Sequence, residues 1–293
     1  MLSAGPGNPG QVHGGVSVND FWFHETNTPG YVVKWKVNHI LHTERTPFQE
    51  LAIIDTPEWG RALVLDGALQ VSEKDEFIYH EMIAHVALNS HPHPQRVLII
   101  GGGDGGTLRE VARHSQVQAI DMVEIDEQVV KTCQEYLPTI SCAFSDPRLN
   151  LYFADGIEFV RNTSSRYDIV IVDSSDPVGP AVELFSHSFY KNVFSILNPE
   201  GMVVVQAESP LFYQDAFTST YRNLAAVFPL TLVYLATVPT YVSGPWAFTI
   251  ASKKQDPRQL SSDRDKLSGL KYYNEAVHQA AFSLPTFIAE MLL

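Results

Sequence analysis

A carboxylate sits in the middle of a glycine turn. Gly101, Gly103 and Gly106 have G-x-G-x-x-G spacing, and Asp104 lies between them. Glycines so spaced after a strand let the backbone approach a nucleotide and open a helix behind it. An acid inside the turn repels a pyrophosphate, so the ligand indicated carries a nucleoside and a positive charge. More acids follow. Glu124 comes about 20 residues after Asp104, the place of a carboxylate that accepts from ribose hydroxyls. Asp155-Gly156 offers an acceptor for an adenine amino group beside a backbone donor for the ring. Asp173 and Asp176 stand close together in DSSDPVGPAVELF, where Pro177, Gly179 and Pro180 stiffen a loop able to cover a pocket. Paired acids suit a cationic ligand, or one acts as a general base. Each acid alone also reads as a solvated loop residue or a helix cap. Several in register along one sheet edge favour a site.

The elements that must hold these acids follow from periodicity. Residues 20–73 have a β pattern, with strands expected over Tyr31–Leu41, Glu50–Asp55 and Ala62–Asp66 and a turn at Asp66-Gly67. Ser72–Asp75 resembles a capping box, which predicts a helix from about Lys74 to Asn89. Val97–Ile100 reads as a buried strand entering the glycine turn, with a helix from Thr107. Strands then alternate with helices: Ile120–Ile125, Leu149–Phe153, Tyr167–Val172 and Met202–Gln206 as strands, with helices over Gln128–Tyr136, Phe189–Leu197 and Tyr213–Phe228. Leu230–Ala236 and Ala247–Ser252 close the chain as a pair of strands, read as antiparallel at one edge. The pattern predicts an α/β fold: a Rossmann-like, doubly wound, mainly parallel sheet over residues 74–293, with a small N-terminal antiparallel β domain over 20–73. In such sheets ligands bind outside the carboxyl ends of the strands, where Asp104, Glu124, Asp155 and Asp173 fall.

The 293 residues are 45% hydrophobic and 18% charged, as in a globular protein with a substantial core. A net charge of −13 argues against nucleic acid as a partner and permits a cationic substrate. Cys133 and Cys142 imply no disulfide framework and fit a reduced, cytoplasmic setting. Residues 1–19, rich in glycine and small polar groups, read as a disordered tail rather than a signal peptide, and no apolar run is long enough for a membrane span. His80, Glu81 and His85 resemble a zinc motif, but the histidines are five apart where four is needed, so no metal is expected. His91 and His93 flank prolines in what reads as a solvated turn. No GK[ST] and no G-x-S-x-G occur in a phosphate- or acyl-transfer context.

These residues also carry a resemblance. The stretches FWFHE, LVLDGALQVSEKDEFIYHEMIAH, VLIIGGGDGGTLREV, VEIDEQVV, DSSDPVGPA and PTYVSG resemble the spermidine synthase family, the putrescine aminopropyltransferases, across about Phe21 to Leu293. The resemblance implies that Gln49 and Glu124 hold the sugar side of a nucleoside donor, and Asp155 and Gly156 the adenine. It implies that Asp104 binds the ammonium of an aminopropyl arm, that Pro180 lines the nucleoside pocket and that Asp173 is the base. Tyr79, His80, Asp176 and Tyr241 would shape a diamine channel flanked by Trp22. Val242 departs from the family's PTYPSG, and the departure implies a looser loop at Tyr241.

The implied reaction moves an aminopropyl group from decarboxylated S-adenosylmethionine to putrescine. It gives spermidine and 5′-methylthioadenosine, with no metal or cofactor, in a homodimer. Cadaverine, agmatine and spermidine stay open as acceptors. A methyltransferase using intact S-adenosylmethionine would have to seat a carboxylate near Asp104. An NAD oxidoreductase meets the same acid, and a non-catalytic nucleoside binder has no use for Asp104, Asp173 and Asp176 together.

Overall fold

The computed structural model describes residues 21–174, 183–241 and 244–293. Its N-terminal part is antiparallel, as expected, but holds more strands than the periodicity shows. β1 (Phe21–Thr28) and β2 (Tyr31–Val37) form a ribbon. β3 (His39–Arg45), β4 (Glu50–Thr56), β5 (Gly60–Leu65) and β6 (Ala68–Ser72) form a four-stranded meander. Asp66 and Gly67 both have positive φ, 47° and 80°, the geometry of a tight hairpin between β5 and β6. The run Tyr31–Leu41 is two strands, parted at Asn38, whose N–H donates to Asp55 O at 2.8 Å. β1 gives little apolar alternation because much of its surface is exposed.

Helix α1 (Glu76–Ser90) follows. It begins after Asp75, and the expected capping box does not form. Asp75 instead accepts from Ser72 Oγ through one oxygen and from the Thr240 N–H and hydroxyl through the other. This binds the start of α1 to the chain's C-terminal half. Nearly every residue of α1 is buried, polar ones included. Glu81 accepts three backbone N–H groups from Lys271, Tyr272 and Tyr273. His91, expected in solvent, is 3% exposed, and its Nδ1 accepts the His93 N–H, because the helix end tucks against the sheet.

The rest is β7 (Arg96–Gly101), α2 (Gly106–Ala112), β8 (Ala119–Glu124), α3 (Glu127–Tyr136), β9 (Leu149–Phe153), α4 (Gly156–Asn162), β10 (Tyr167–Asp173), α5 (His187–Ile196), β11 (Leu197–Gln206), α6 (Gln214–Ala225), β12 (Leu230–Ala236), β13 (Trp246–Ser252), α7 (Glu275–Ala281) and α8 (Thr286–Met291). The seven-stranded sheet has the order β12-β13-β11-β10-β7-β8-β9. β9, β8, β7, β10 and β11 run parallel, and β13 is antiparallel to both β11 and β12. The expected antiparallel pair is therefore present, with β12 at the edge. Helices α4, α7 and α8, each of seven residues or fewer, were not legible in the periodicity.

Alternation along the central strands divides the core. Val97 and Ile99 pack with Met82, Leu108 and Ile120 on one face. Leu98 and Ile100 pack with Val123, Val160 and Phe189 on the other. A strand covered on both faces reads as a continuous apolar run, as β7 does. Each such fully buried side chain contributes roughly 1.5–3 kcal/mol. The chain leaves β7 towards β8 and β9, then returns to place β10 on the other side of β7. That reversal opens the crevice in which open α/β sheets bind ligands.

Candidate active site

β7 and β10 approach closely at the reversal. Gly101 has φ +83°, and a Cβ there would lie 2.2 Å from Asp173 O, so only glycine fits. The next N–H, of Gly102, donates to that same carbonyl at 2.8 Å. The glycine turn thus admits the Asp173 backbone beside it. Asp173, at the end of β10, is 9% exposed. Tyr79 Oη on α1 donates to its Oδ1 and Thr107 Oγ1 on α2 to its Oδ2, each at 2.6 Å. Burial, and then the nearby Asp104 carboxylate, raise the Asp173 pKa, partly offset by His80 and the two hydroxyls. Burial and the Asp173 charge keep Tyr79 protonated well above its ordinary range.

Asp104 stays within the turn. Its Oδ1 accepts the Gly106 N–H at 2.6 Å and lies 3.3 Å from His80 Nε2. His80 Nδ1 donates to Glu76 Oε2 at 2.6 Å. Burial disfavours charge on the ring, but Asp104 and Glu76 outweigh it and raise its pKa to about 10. His80, Glu81 and His85 have separate partners: His80 faces Asp104, Glu81 the C-terminal segment, and His85 the pair Glu110 and His114.

Glu124, at the end of β8, is 8% exposed. Its Oε1 accepts the Asp126 N–H at 2.9 Å. Burial raises its pKa to about 7, and the Asp126 charge adds to the shift. Asp126 caps α3 through Oδ1, while its Oδ2 accepts from Thr46 Oγ1 at 2.7 Å and Gln49 Nε2 at 2.9 Å. The turn between β3 and β4 is thereby fixed over the end of β8, and Gln49 comes to the same crevice as Glu124. Asp155 is a helix cap, one of its two sequence readings: Oδ1 accepts the N–H groups of Ile157 and Glu158.

A cavity of about 460 Å³ collects these groups. Gln49, Glu124, Asp155 and Gly156 line it, together with Tyr79, His80, Asp104, Asp173 and Tyr241. Tyr241 donates through Oη to Gln70 O at 2.6 Å, and its ring meets Tyr79 edge-on with centroids 5.8 Å apart. Asp176, Pro180 and Val242, and with them the expected covering loop, lie outside the described residues. Trp22 is not at this cavity; it is 49% exposed and lines a separate groove on the N-terminal strands. Thr107, Asp126, Glu76 and Arg109 were missed by sequence reasoning. Thr107 and Arg109 sit in TLRE directly after the glycine turn, and Asp126 follows Glu124 by two, so proximity to the motif was the available signal. Glu25 and Gln206 also line the cavity, and neither has a marked sequence context.

A cavity of this shape, at the reversal of a parallel sheet and edged by acids, can hold a nucleoside at Glu124 and a cationic arm at Asp104 and Asp173. Residues 76–261 match the spermine/spermidine synthase domain, and residues 21–73 the spermidine synthase tetramerisation domain. The chain belongs to the spermidine synthase family. Among its relatives in this family, the polyamine aminopropyltransferase of Moorella thermoacetica is 49% identical over 271 residues, covering 92% of this chain and 96% of that one. The corresponding protein of Desulforudis audaxviator is 48% identical over 269 residues, covering 92% and 98%. A crystal structure of spermidine synthase in complex with the transition state analogue AdoDATO superposes with a TM-score of 0.89 at 40% identity, covering 93% of this chain and 94% of that one. Spermidine synthase from Thermotoga maritima gives 0.88 at 40% identity, covering 94% of each chain. Like the curated relatives, this chain is an aminopropyltransferase. Among the described residues no helix is long and apolar enough to cross a membrane.

Proposed function

We propose that the chain transfers the aminopropyl group of decarboxylated S-adenosylmethionine to putrescine, with Asp173 as general base. The observation that carries this reading is the pairing of Asp104 and Asp173 in one cavity, one on each side of the β7–β10 reversal. Glu124 and Gln49 lie where ribose hydroxyls are accepted, and Asp155-Gly156 borders the adenine side. Asp104 then receives the arm's terminal ammonium. The acceptor nitrogen attacks the aminopropyl carbon next to sulfur. The new C–N bond forms as the C–S bond breaks, and its electron pair returns to the sulfonium sulfur, leaving neutral 5′-methylthioadenosine. The nitrogen's surplus proton passes to Asp173. An alkyl ammonium has a pKa near ~10, by analogy with lysine, so a carboxylate that holds the amine and takes its proton lowers the barrier. Positioning contributes the other large share, because both reactants are held in one crevice.

Burial and the Asp104 charge raise the Asp173 pKa, which improves a carboxylate as a proton acceptor near neutral pH. Tyr79 and Thr107 hold its two oxygens in place. Methyl transfer from intact S-adenosylmethionine is disfavoured, because the donor's own carboxylate would then lie near Asp104. The reading requires no cofactor beyond the donor and no metal.

The test is product analysis with purified protein, decarboxylated or intact S-adenosylmethionine, and putrescine. Spermidine and methylthioadenosine from the decarboxylated donor support the reading; N-methylputrescine from the intact donor overturns it. Competition among putrescine, cadaverine, agmatine and spermidine tests the acceptor. A homodimer in the cytoplasm is part of the same proposal. The exposed Phe21, Trp22 and Ile40, at 64%, 49% and 61%, give the N-terminal strands an apolar face for self-association. A tetramer by light scattering would correct the dimer.

A further inference from the structure

A buried carboxylate and a partly buried guanidinium stand behind the cavity without lining it. Glu76, at the start of α1, has a side chain 6% exposed; Arg109, on α2, is 17% exposed. Arg109 forks onto Glu76, with Nη1 donating to Oε1 at 3.0 Å and Nη2 to Oε2 at 2.8 Å. Its Nε donates to Glu110 Oε1 at 2.8 Å, which fixes the guanidinium plane. Glu76 Oε2 also accepts from His80 Nδ1. The His80 ring is closely packed: it is 2% exposed, and a Cβ on Gly106 would come within 2.2 Å of its Cε1. The other ring nitrogen faces Asp104 Oδ1, the oxygen that already accepts the Gly106 N–H. Asp104 Oδ2 has no hydrogen-bond partner among the described residues, and the side chain is 15% exposed at the cavity.

We propose that Glu76 and Arg109 are positioning residues for Asp104: clamped together they fix the His80 ring, and His80 with the Gly106 N–H pins Asp104 Oδ1, so that Oδ2 is presented to the ammonium of the ligand's arm. This rests on the functional reading above. It assigns a task to a chain of side chains running from α2 through α1 to the glycine turn, none of which but His80 and Asp104 meets the cavity.

The charges agree with the geometry. Facing His80 are Glu76 and Tyr79 on α1, Asp104 in the turn and Asp173 at the end of β10, with Arg109 reaching it from α2 through Glu76. Glu76, Asp104 and Asp173 thus outnumber the cations His80 and Arg109, the latter shared with Glu110, and a further cation is favoured at the uncovered oxygen. Burial opposes ionisation of Glu76, but His80 and Arg109 outweigh it and lower its pKa to about 2, so the clamp stays charged through the working range. Charge-assisted, bidentate contacts of this kind fix geometry as well as charge. Aiming an acceptor by a buried supporting residue costs little reorganisation when the ligand arrives.

The test compares two ligands that share the nucleoside and differ in the charged arm. Decarboxylated S-adenosylmethionine and 5′-methylthioadenosine are titrated calorimetrically into wild type, Glu76→Gln and Arg109→Lys. Glu76→Gln keeps the shape and an acceptor but removes the charge; Arg109→Lys keeps the charge but loses the fork. The expected result is a loss of about tenfold in affinity for the charged donor in Glu76→Gln, with methylthioadenosine within about twofold of wild type. Arg109→Lys should fall between, and serves alone if Glu76→Gln does not fold. Equal weakening of both ligands, or of neither, overturns the proposal. A wild type that binds the two ligands equally overturns the functional reading instead, and this proposal with it.

Discussion

Tyr79 Oη donates to Asp173 Oδ1 across 2.6 Å, joining the first turn of α1 to the end of β10 at the cavity wall. Donation to a carboxylate favours its ionised form, so this bond holds down a pKa that burial and Asp104 push up. Removing it has a definite sign. In Tyr79→Phe, Asp173 should need a higher pH to ionise, and the acidic limb of the rate profile should move upward. Turnover at neutral pH should fall by about tenfold, the scale of one hydrogen bond to a charged group. A pH–rate profile of wild type and variant checks this, and a limb that stays in place would separate Tyr79 from the proton transfer.

Glu124 gives a pH prediction for the nucleoside. Its pKa in the folded protein is about 7, against an ordinary 4.5, and burial is the main cause. The ionised form is the better acceptor for ribose hydroxyls. Methylthioadenosine should therefore bind more tightly as pH rises from 6 to 8, releasing part of a proton near pH 7, as calorimetry in buffers of different ionisation enthalpy would show. The linkage to stability has the opposite sign. The folded state retains a proton that the unfolded chain has lost, so stability contributed by this group falls as pH rises from about 4.5 through 7. Glu124→Gln should flatten both dependences.

The third glycine of the turn is required by a side chain rather than by a phosphate. Gly106 leaves room for the His80 ring, which a Cβ would meet at 2.2 Å. In Gly106→Ala the ring must move in a site where both its neighbours are carboxylates. Overpacking of this kind costs about 1–3 kcal/mol, read in denaturant unfolding. Because the move also takes His80 away from Asp104, affinity for the charged donor should fall more than affinity for methylthioadenosine. Wild-type stability with wild-type donor affinity would mean that the ring has space to spare.

The parallel sheet, the glycine turn and the acids at the strand ends were legible because each has a period or a spacing. β7 is an apolar run since both its faces are covered, and Asp104 is conspicuous because nothing else in a phosphate cradle is anionic. Residues that act from behind the site were not. Thr107 and Arg109 reach their partners across 66 and 33 positions, so only their place after the glycine turn marks them, and Glu76 is marked only by its i, i+4 spacing to His80. β1 was hidden because its surface is largely exposed, and α4 because seven residues make fewer than two helical turns to read. His91 was misjudged since flanking prolines suggest a surface turn, while the helix end that carries it is packed against the sheet.

The measurement that bears most directly on the account is the single-turnover rate of Asp173→Asn set against its affinity for methylthioadenosine. Asparagine keeps the size and an acceptor for one of the Tyr79 and Thr107 hydroxyls, but can neither hold the acceptor's charge nor take its proton. The rate should fall by about 10²–10⁴-fold, the usual contribution of a general base. Methylthioadenosine should bind nearly as in wild type, because Glu124 and Asp155 are untouched. The thermal midpoint should hold, since a buried carboxylate beside Asp104 strains the fold more than it supports it. A variant that retains more than about half the wild-type rate at neutral pH would contradict the assignment of Asp173 as the base.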